Sequence, residues 1–288
     1  MNDAEHHAAT LPCWSGPVEP LRLEGGMSND NFLVEDGGNK YVVRVNDDVP
    51  EHGVLRINDA NCNRAAAAAG VAPAVHYSGP NALVVAFVPG KTCGQEDLQQ
   101  PHTLSRMVPL LRRTHVDAFR MIRGPVCAFW PFRICRDYGF FLEDHDSRHA
   151  SKLADLRRFN ERLEAIIGPI TPVLGHNDLL AANVIDDGER LWLIDWEHAG
   201  FTSPLFDLAN LSANNGLTEG QDNWLLETYY ETPANDALRH RFHAMKCASH
   251  LRESMWGMVS EISSKLDFDF GGYSDEYLTR FEAEYARL

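Results

Sequence analysis

The spacing of apolar residues changes character part-way along the chain. Between residues 31 and 88 they fall in short β-rich runs: Asn31-Phe-Leu-Val-Glu35, Lys40-Tyr-Val-Val-Arg-Val45, Val75-His-Tyr-Ser78 and Leu83-Val-Val-Ala-Phe-Val88. The first two flank Asp36-Gly-Gly-Asn39, a tight-turn sequence that supplies the positive φ angles of a hairpin. The last two flank a Gly79-Pro-Asn turn. Between these pairs, the segment from about Leu55 to Ala69 ends in an alanine run and predicts a helix. Gly70 stops it and Pro73 prevents its continuation. Beyond Pro89-Gly90 the period becomes helical, with Leu104, Met107, Val108, Leu110 and Leu111 on one face and Leu153, Leu156, Leu163 and Ile166 on another. Val184-Ile185 and Leu191-Trp-Leu-Ile194 are short strands around an Asp186-Asp-Gly-Glu turn, and from Phe206 onward the chain reads as helices. This pattern predicts an α+β molecule of two lobes. A small β-rich lobe with one main helix spans 1–88, a larger and mainly helical lobe spans 89–288, and the hinge falls at about 86–91.

Composition narrows the class of function. The 288 residues suffice for one large or two ordinary cores, and 44% hydrophobic with 23% charged residues is ordinary globular usage. A formal charge of −15 argues against nucleic acid, which needs a basic surface to displace counterions, and against anionic membranes. It suits a cationic small molecule. The most apolar run, Ala82-Leu-Val-Val-Ala-Phe-Val88, is too short to span a bilayer. The six cysteines are scattered without a C-x-x-C pair, as in a reducing compartment, and no signal peptide is visible, so a cytoplasmic protein is expected.

The densest chemistry lies in Gly175-His-Asn-Asp-Leu-Leu-Ala-Ala-Asn183, followed by Trp192-Leu-Ile-Asp-Trp-Glu197. An Asp on a loop, an Asn five residues later and an Asp ending an apolar strand form a phosphoryl-transfer arrangement. Asp178 can receive or orient a substrate hydroxyl proton, and Asn183 and Asp195 are hard oxygen ligands for Mg²⁺ on nucleotide phosphates. A second signal is Gly25-Gly-Met-Ser-Asn-Asp-Asn31, between two strands. Its glycines let backbone N–H groups approach phosphate, and Gly26, Ser28 and Asn29 are candidate contacts. Arg44 interrupts the apolar run Val42-Val-Arg-Val45, where an unpaired cation is costly, so it calls for an anion such as ATP phosphate.

These motifs resemble the choline/ethanolamine kinase family within the aminoglycoside phosphotransferase superfamily, over most of the chain. The most specific pieces are H-N-D-L-x-x-x-N, I-D-W-E and F-D-L-A-N, joined by M-W-G-M and L-D-F-D-F nearer the C-terminus. The resemblance implies a protein-kinase-like fold and an ATP- and Mg²⁺-dependent transfer of the γ-phosphoryl group to the hydroxyl of a small amino alcohol, choline or ethanolamine. It makes Asp178 the catalytic base or hydroxyl-orienting residue. It assigns Asn183, Asp195 and Glu197 to Mg²⁺, Arg44 to the ATP phosphates, the backbone of Phe87 and Val88 to adenine, and Asp207 to bracing the catalytic loop. His198, Trp256, Phe268 and Tyr273 would then surround the acceptor, a cation recognised by aromatic faces and carboxylates.

The sequence also departs from that pattern. The family's first-helix Glu has no counterpart in Ile57-Asn-Asp-Ala-Asn-Cys-Asn63, where Asp59 is the nearest acid, and Pro89 stands where a hinge Glu is usual. His198 replaces a Tyr, Val259 a second cage Trp, and Asn214 a Glu. Other readings therefore stay open: the same chemistry on an aminoglycoside or thiamine, a nucleotide-binding pseudokinase, or a metallohydrolase using His176, Asp178, Asp195 and His198.

Overall fold

The computed structural model describes residues 3–23 and 30–288. The chain opens with helix α1 (Asp3–Ala9), which the apolar pattern did not indicate, and then enters strands β1 (Leu21–Arg22), β2 (Asp30–Asp36) and β3 (Asn39–Val45). Helix α2 (Arg56–Ala68) follows, then β4 (Val75–Gly79) and β5 (Ala82–Ala86). The five strands form one antiparallel sheet in the order β1-β2-β3-β5-β4. Successive side chains of a strand point to opposite faces. Phe32, Val34, Val43, Ala82 and Val84 pack against Ala8 and Leu11 on one face, while Val42, Arg44 and Val85 are turned to the other, where the cavity lies. The strand predicted to run to Val88 ends at Ala86.

Residues 87–90 lead from β5 to β6 (Lys91–Thr92), the edge of a three-stranded sheet with β8 (Val184–Asp186) and β9 (Leu191–Leu193). At Gly90 a Cβ would fall 2.6 Å from the Asp186 carbonyl oxygen, so only glycine lets the connecting segment lie this close to β8. The remainder is helical: α3 (Gln95–Leu98), α4 (Pro101–Arg113), α5 (Phe119–Met121), α6 (Pro131–Asp144), α7 (Leu153–Ile167), α8 (Pro204–Asn215), α9 (Glu219–Tyr230), α10 (Asp236–Ser263) and α11 (Phe270–Tyr285). Strands β7 (Val173–Gly175) and β10 (Gly200–Thr202) pair to bracket the motif-bearing loops.

The 28-residue α10 is the axis of this part. It packs against α6, α7, α8 and α11, and nearly all of its residues from Ala244 to Ser260 are buried. Helix α2 inverts the usual amphipathic logic. It buries Asn58, Asp59, Asn61 and Asn63 and leaves Ile57 57% exposed. The buried amides are bonded across to the helical part: Asn58 Nδ2 donates to the Ala199 carbonyl at 2.8 Å, its Oδ1 accepts from the Cys127 N–H at 2.8 Å, and Asn61 donates to the Pro125 carbonyl at 2.9 Å. Cys62, Ala65 and Ala66 of the same helix join the larger hydrophobic core. No helix among the described residues is long and apolar enough to cross a membrane.

Candidate active site

Helix α8 fixes the loop that follows β7. Ser203 caps the helix, its hydroxyl accepting from the Leu205 N–H. The fully buried Asp207 accepts from the His176 N–H at 2.8 Å and the Asn177 N–H at 2.7 Å, and it contacts His115 Nε2 at 2.9 Å. One turn on, Asn210 Oδ1 accepts from the Leu179 N–H at 2.6 Å, and Asn215 Nδ2 donates to the Leu179 carbonyl at 2.8 Å. Burial would raise the Asp207 pKa, but hydrogen bonds from His115 and the loop lower it, so it stays ionised. Asp207 thus has the bracing geometry expected of it. Two non-glycine residues hold positive φ here, Asn177 at 65° and Asp195 at 64°. Asn177 is held by its Nδ2 bond to the His198 carbonyl at 3.0 Å. Such left-handed backbone persists where the surroundings over-determine it.

Asp178 and Asn183 are tied directly. Asn183 Nδ2 donates to the Asp178 carbonyl and to Asp178 Oδ2, both at 2.9 Å. A backbone carbonyl can only accept, so the amide nitrogen must face it and Asn183 Oδ1 is left as an oxygen donor. Asp195 follows β9 and receives Arg44 Nη2 at 2.6 Å. Glu197 Oε2 lies 3.4 Å from Arg44 Nη2 and 2.9 Å from Arg56 Nη1. Arg44, which the sequence left in want of an anion, therefore meets carboxylates. Asp59 is among them, its Oδ2 3.6 Å from both Arg44 Nη1 and Arg56 Nη1. The helix carboxylate missing from the sequence pattern is supplied by the shorter Asp59, with Asn63 Nδ2 donating to its Oδ1 at 2.6 Å.

Most of these groups, though not Arg56 or Asp59, line one cavity of about 580 Å³. Phe87 and Val88 line it together with Arg44, Asp178, Asn183, Asp195 and Glu197. His52, His198, Arg252, Glu253, Trp256 and Tyr273 complete the wall. Burial, reinforced by the charge of Glu253, pushes the Asp178 carboxyl up to about 7, with Arg252 opposing. Asp195 is raised by burial against the pull of Arg44. Burial would raise Glu197 too, but His198 when protonated, Arg44 and Arg56 hold it at about 2. Burial lifts Asp59 to about 6 and depresses His198 and His52 to about 3, so both imidazoles are neutral at physiological pH.

One expectation needs correction. Phe268 does not reach the cavity wall; it is 44% exposed and packs at a steep angle on Phe270 and Tyr273. Phe87 has its N–H committed to the Lys40 carbonyl at 3.0 Å, which leaves its own carbonyl and the Val88 amide as hinge groups. Gly26, Ser28 and Asn29 lie outside the described residues. The metallohydrolase reading fails on His176. Its Nε2 lies 2.9 Å from the Ile194 carbonyl and its Nδ1 3.3 Å from the Asp178 N–H, so both ring nitrogens are used. Among the described residues no three His, Cys, Asp or Glu side chains are grouped to hold a metal. The donor set that does converge, two carboxylates and one amide carbonyl, is all hard oxygen. It fits an ion completed by phosphate oxygens, as Mg²⁺ is, and not one caged by protein alone.

Sequence reading missed Arg56, which pairs with Glu197 outside the cavity wall, and His52, Arg252 and Glu253, which line it. The last two carried a usable signal, since adjacent charges in the middle of a helix buried on every side must answer to something.

A family model described as "Phosphotransferase enzyme family" matches residues 20–243. The chain is 28% identical over 282 residues to Protein LicA of Haemophilus influenzae, covering 93% of this chain and 80% of that protein. It is 26% identical over 292 residues to Ethanolamine kinase 2 of Mus musculus, covering 89% and 74%. The crystal structure of a choline/ethanolamine kinase family protein from Mesorhizobium loti superposes with a TM-score of 0.78 at 27% identity, over 98% of this chain and 93% of that one.

Proposed function

The chain belongs to the phosphotransferase enzyme family, and from that premise we propose that it transfers the γ-phosphoryl group of ATP to the hydroxyl of a small amino alcohol of the choline or ethanolamine kind. The observation that carries this reading is the convergence of groups on one cavity: hinge residues, an arginine paired with carboxylates, Asp178, and aromatic side chains at Trp256 and Tyr273. Relatives named as ethanolamine kinases support the acceptor class.

In this reading residues 1–88 are the nucleotide-binding lobe and 89–288 the catalytic and substrate-binding lobe. Adenine lies against the Phe87 carbonyl and the Val88 amide. Arg44, freed in part from Asp195, turns its guanidinium to the phosphates while Asp59 and Glu197 keep it oriented. Asn183 and Asp195, with Glu197 beside them, would hold Mg²⁺, which when bound neutralises charge on the phosphate oxygens. Asp178 accepts the acceptor's hydroxyl hydrogen and aims its oxygen at the γ-phosphorus, the Asn183 amide fixing the carboxylate in place. Positioning and charge stabilisation dominate such transfers, so rigidity of this loop translates into rate.

The test is ATP turnover with Mg²⁺ against choline, ethanolamine, an aminoglycoside and thiamine, with Asp178→Ala as control. Turnover stimulated by choline or ethanolamine and abolished in the variant is expected. Stimulation by the aminoglycoside or thiamine alone would overturn the acceptor class while leaving the chemistry. No stimulation by any of them, with ATP still bound, would favour a nucleotide-binding protein without transfer.

A further inference from the structure

Arg252 and Glu253 are 2% and 3% exposed, stand in mid-α10 just before Trp256, and have no part in the phosphoryl chemistry above. The Arg252 Nη1 donates to Glu253 Oε1, and the Tyr273 hydroxyl donates to Glu253 Oε2 at 2.9 Å. Each carboxylate oxygen accepts twice, so about two of four acceptor positions are taken and the others remain for a ligand in the cavity. The nearby aromatic wall is thin. The His52 imidazole lies against the Trp256 ring, centroids 5.3 Å apart at 33°, so at most one broad indole face is left. Tyr273 meets Trp256 nearly at right angles, at 5.5 Å.

A quaternary ammonium has no N–H to donate and is held by aromatic faces, whereas an ammonium with N–H gains most from a carboxylate, in a charge-assisted hydrogen bond. With Asp178 ionised, Asp178, Glu253 and Arg252 together carry one net negative charge, which a single cation balances. We propose that Glu253 is a specificity-determining residue: its carboxylate, oriented by Arg252 and Tyr273, accepts an N–H from the acceptor's ammonium, so the cavity selects amino alcohols bearing N–H over quaternary ones. This rests on the amino-alcohol reading above and narrows it.

The experiment is kcat/KM at saturating ATP for ethanolamine, its N-methyl and N,N-dimethyl derivatives, and choline, with the wild-type chain, Glu253→Gln and Tyr273→Phe. The first three amines each keep an N–H. Wild-type values should stay within a small range across them and drop about 10- to 100-fold at choline, the worth of one hydrogen bond to a charged group. Glu253→Gln should flatten that step by raising the ethanolamine KM while the ATP KM holds, and Tyr273→Phe should shift it less in the same direction. A wild type that prefers choline, or treats all four alike, overturns the proposal alone, as does a Glu253→Gln variant that keeps the step. Turnover of none of the four overturns the amino-alcohol reading and the proposal with it. If Glu253→Gln does not fold, the wild-type series can still overturn the proposal, and a Tyr273→Phe variant that leaves the step unchanged overturns the role of Glu253.

Discussion

Asp178 carries the sharpest consequence at the scale of single residues. Its carboxyl is raised to about 7 by burial and by Glu253, and it can take a hydroxyl proton only when ionised. The rate should therefore climb with pH through about 7 and level off above it, a limb visible in kcat/KM for the acceptor. Stability should run the other way. A carboxyl whose native pKa lies above its unfolded value, near 3.9, binds its proton more tightly when folded. That contribution is full below about 4 and lost as pH rises through 7. Asp178→Asn should accordingly melt close to wild type at pH 4 and several degrees higher at pH 8. A melting difference that does not grow between those pH values would mean the carboxyl is not raised. The sequence made this residue legible because Asp178, Asn183 and Asp195 are adjacent in a motif. Asp59 was visible but its distance to Arg44 was not, since pairing across 15 residues depends on how α2 lies on β3. Glu253 and Arg252 were hidden for a similar reason: their meaning comes from a cavity formed mostly by residues more than 50 positions away.

Among the elements, α8 has the clearest role, because its buried polar side chains serve the loop on either side of Asp178 more than the helix itself. Asp207, Asn210 and Asn215 together bond two backbone N–H groups and both polar atoms of Leu179's peptide links. Replacing Asp207 by Asn puts an N–H donor where two N–H groups already point, leaving a buried donor unmatched. Urea unfolding should show a loss of about 3 kcal/mol, within the range for buried bonds to a charged group. In the same variant kcat should fall far more than the ATP KM rises, since the loop aims Asp178 while the hinge is elsewhere. Unchanged kcat with lowered stability would reduce Asp207 to a purely structural role. Strands and long helices of this kind were readable from apolar period alone: β2, β3, α4 and α7 lie where the spacing puts them. The period failed for α1, which is short and packs few residues, and for α6. It also could not show that α2 turns its asparagines inward, because the partners that satisfy them, Ala199, Cys127 and Pro125, belong to distant loops.

For the whole molecule the relevant quantity is charge. At −15 the chain repels ATP at long range and attracts a cationic acceptor, and the same cavity must receive both. Local features temper the global field where it matters: Arg44 places a cation in the cavity beside Asp195 and Glu197, whose charge Mg²⁺ would offset, while Glu253 and Asp178 line the same cavity. Long-range attraction is screened by salt, whereas contacts within the cavity are screened much less. Raising ionic strength from about 10 mM to about 0.3 M shortens the Debye length from about 30 Å to under 8 Å. Over that range the acceptor's kcat/KM should fall about 2- to 10-fold, in keeping with a steered encounter, while that for ATP should hold or rise. The two must be measured separately, each with the other substrate saturating and free Mg²⁺ fixed. Parallel decline of both would point to salt acting on the fold or the metal. Opposite responses would show that one acidic molecule sorts its two substrates by sign, drawing in the amine with its overall field and admitting the nucleotide through local contacts, Arg44 among them.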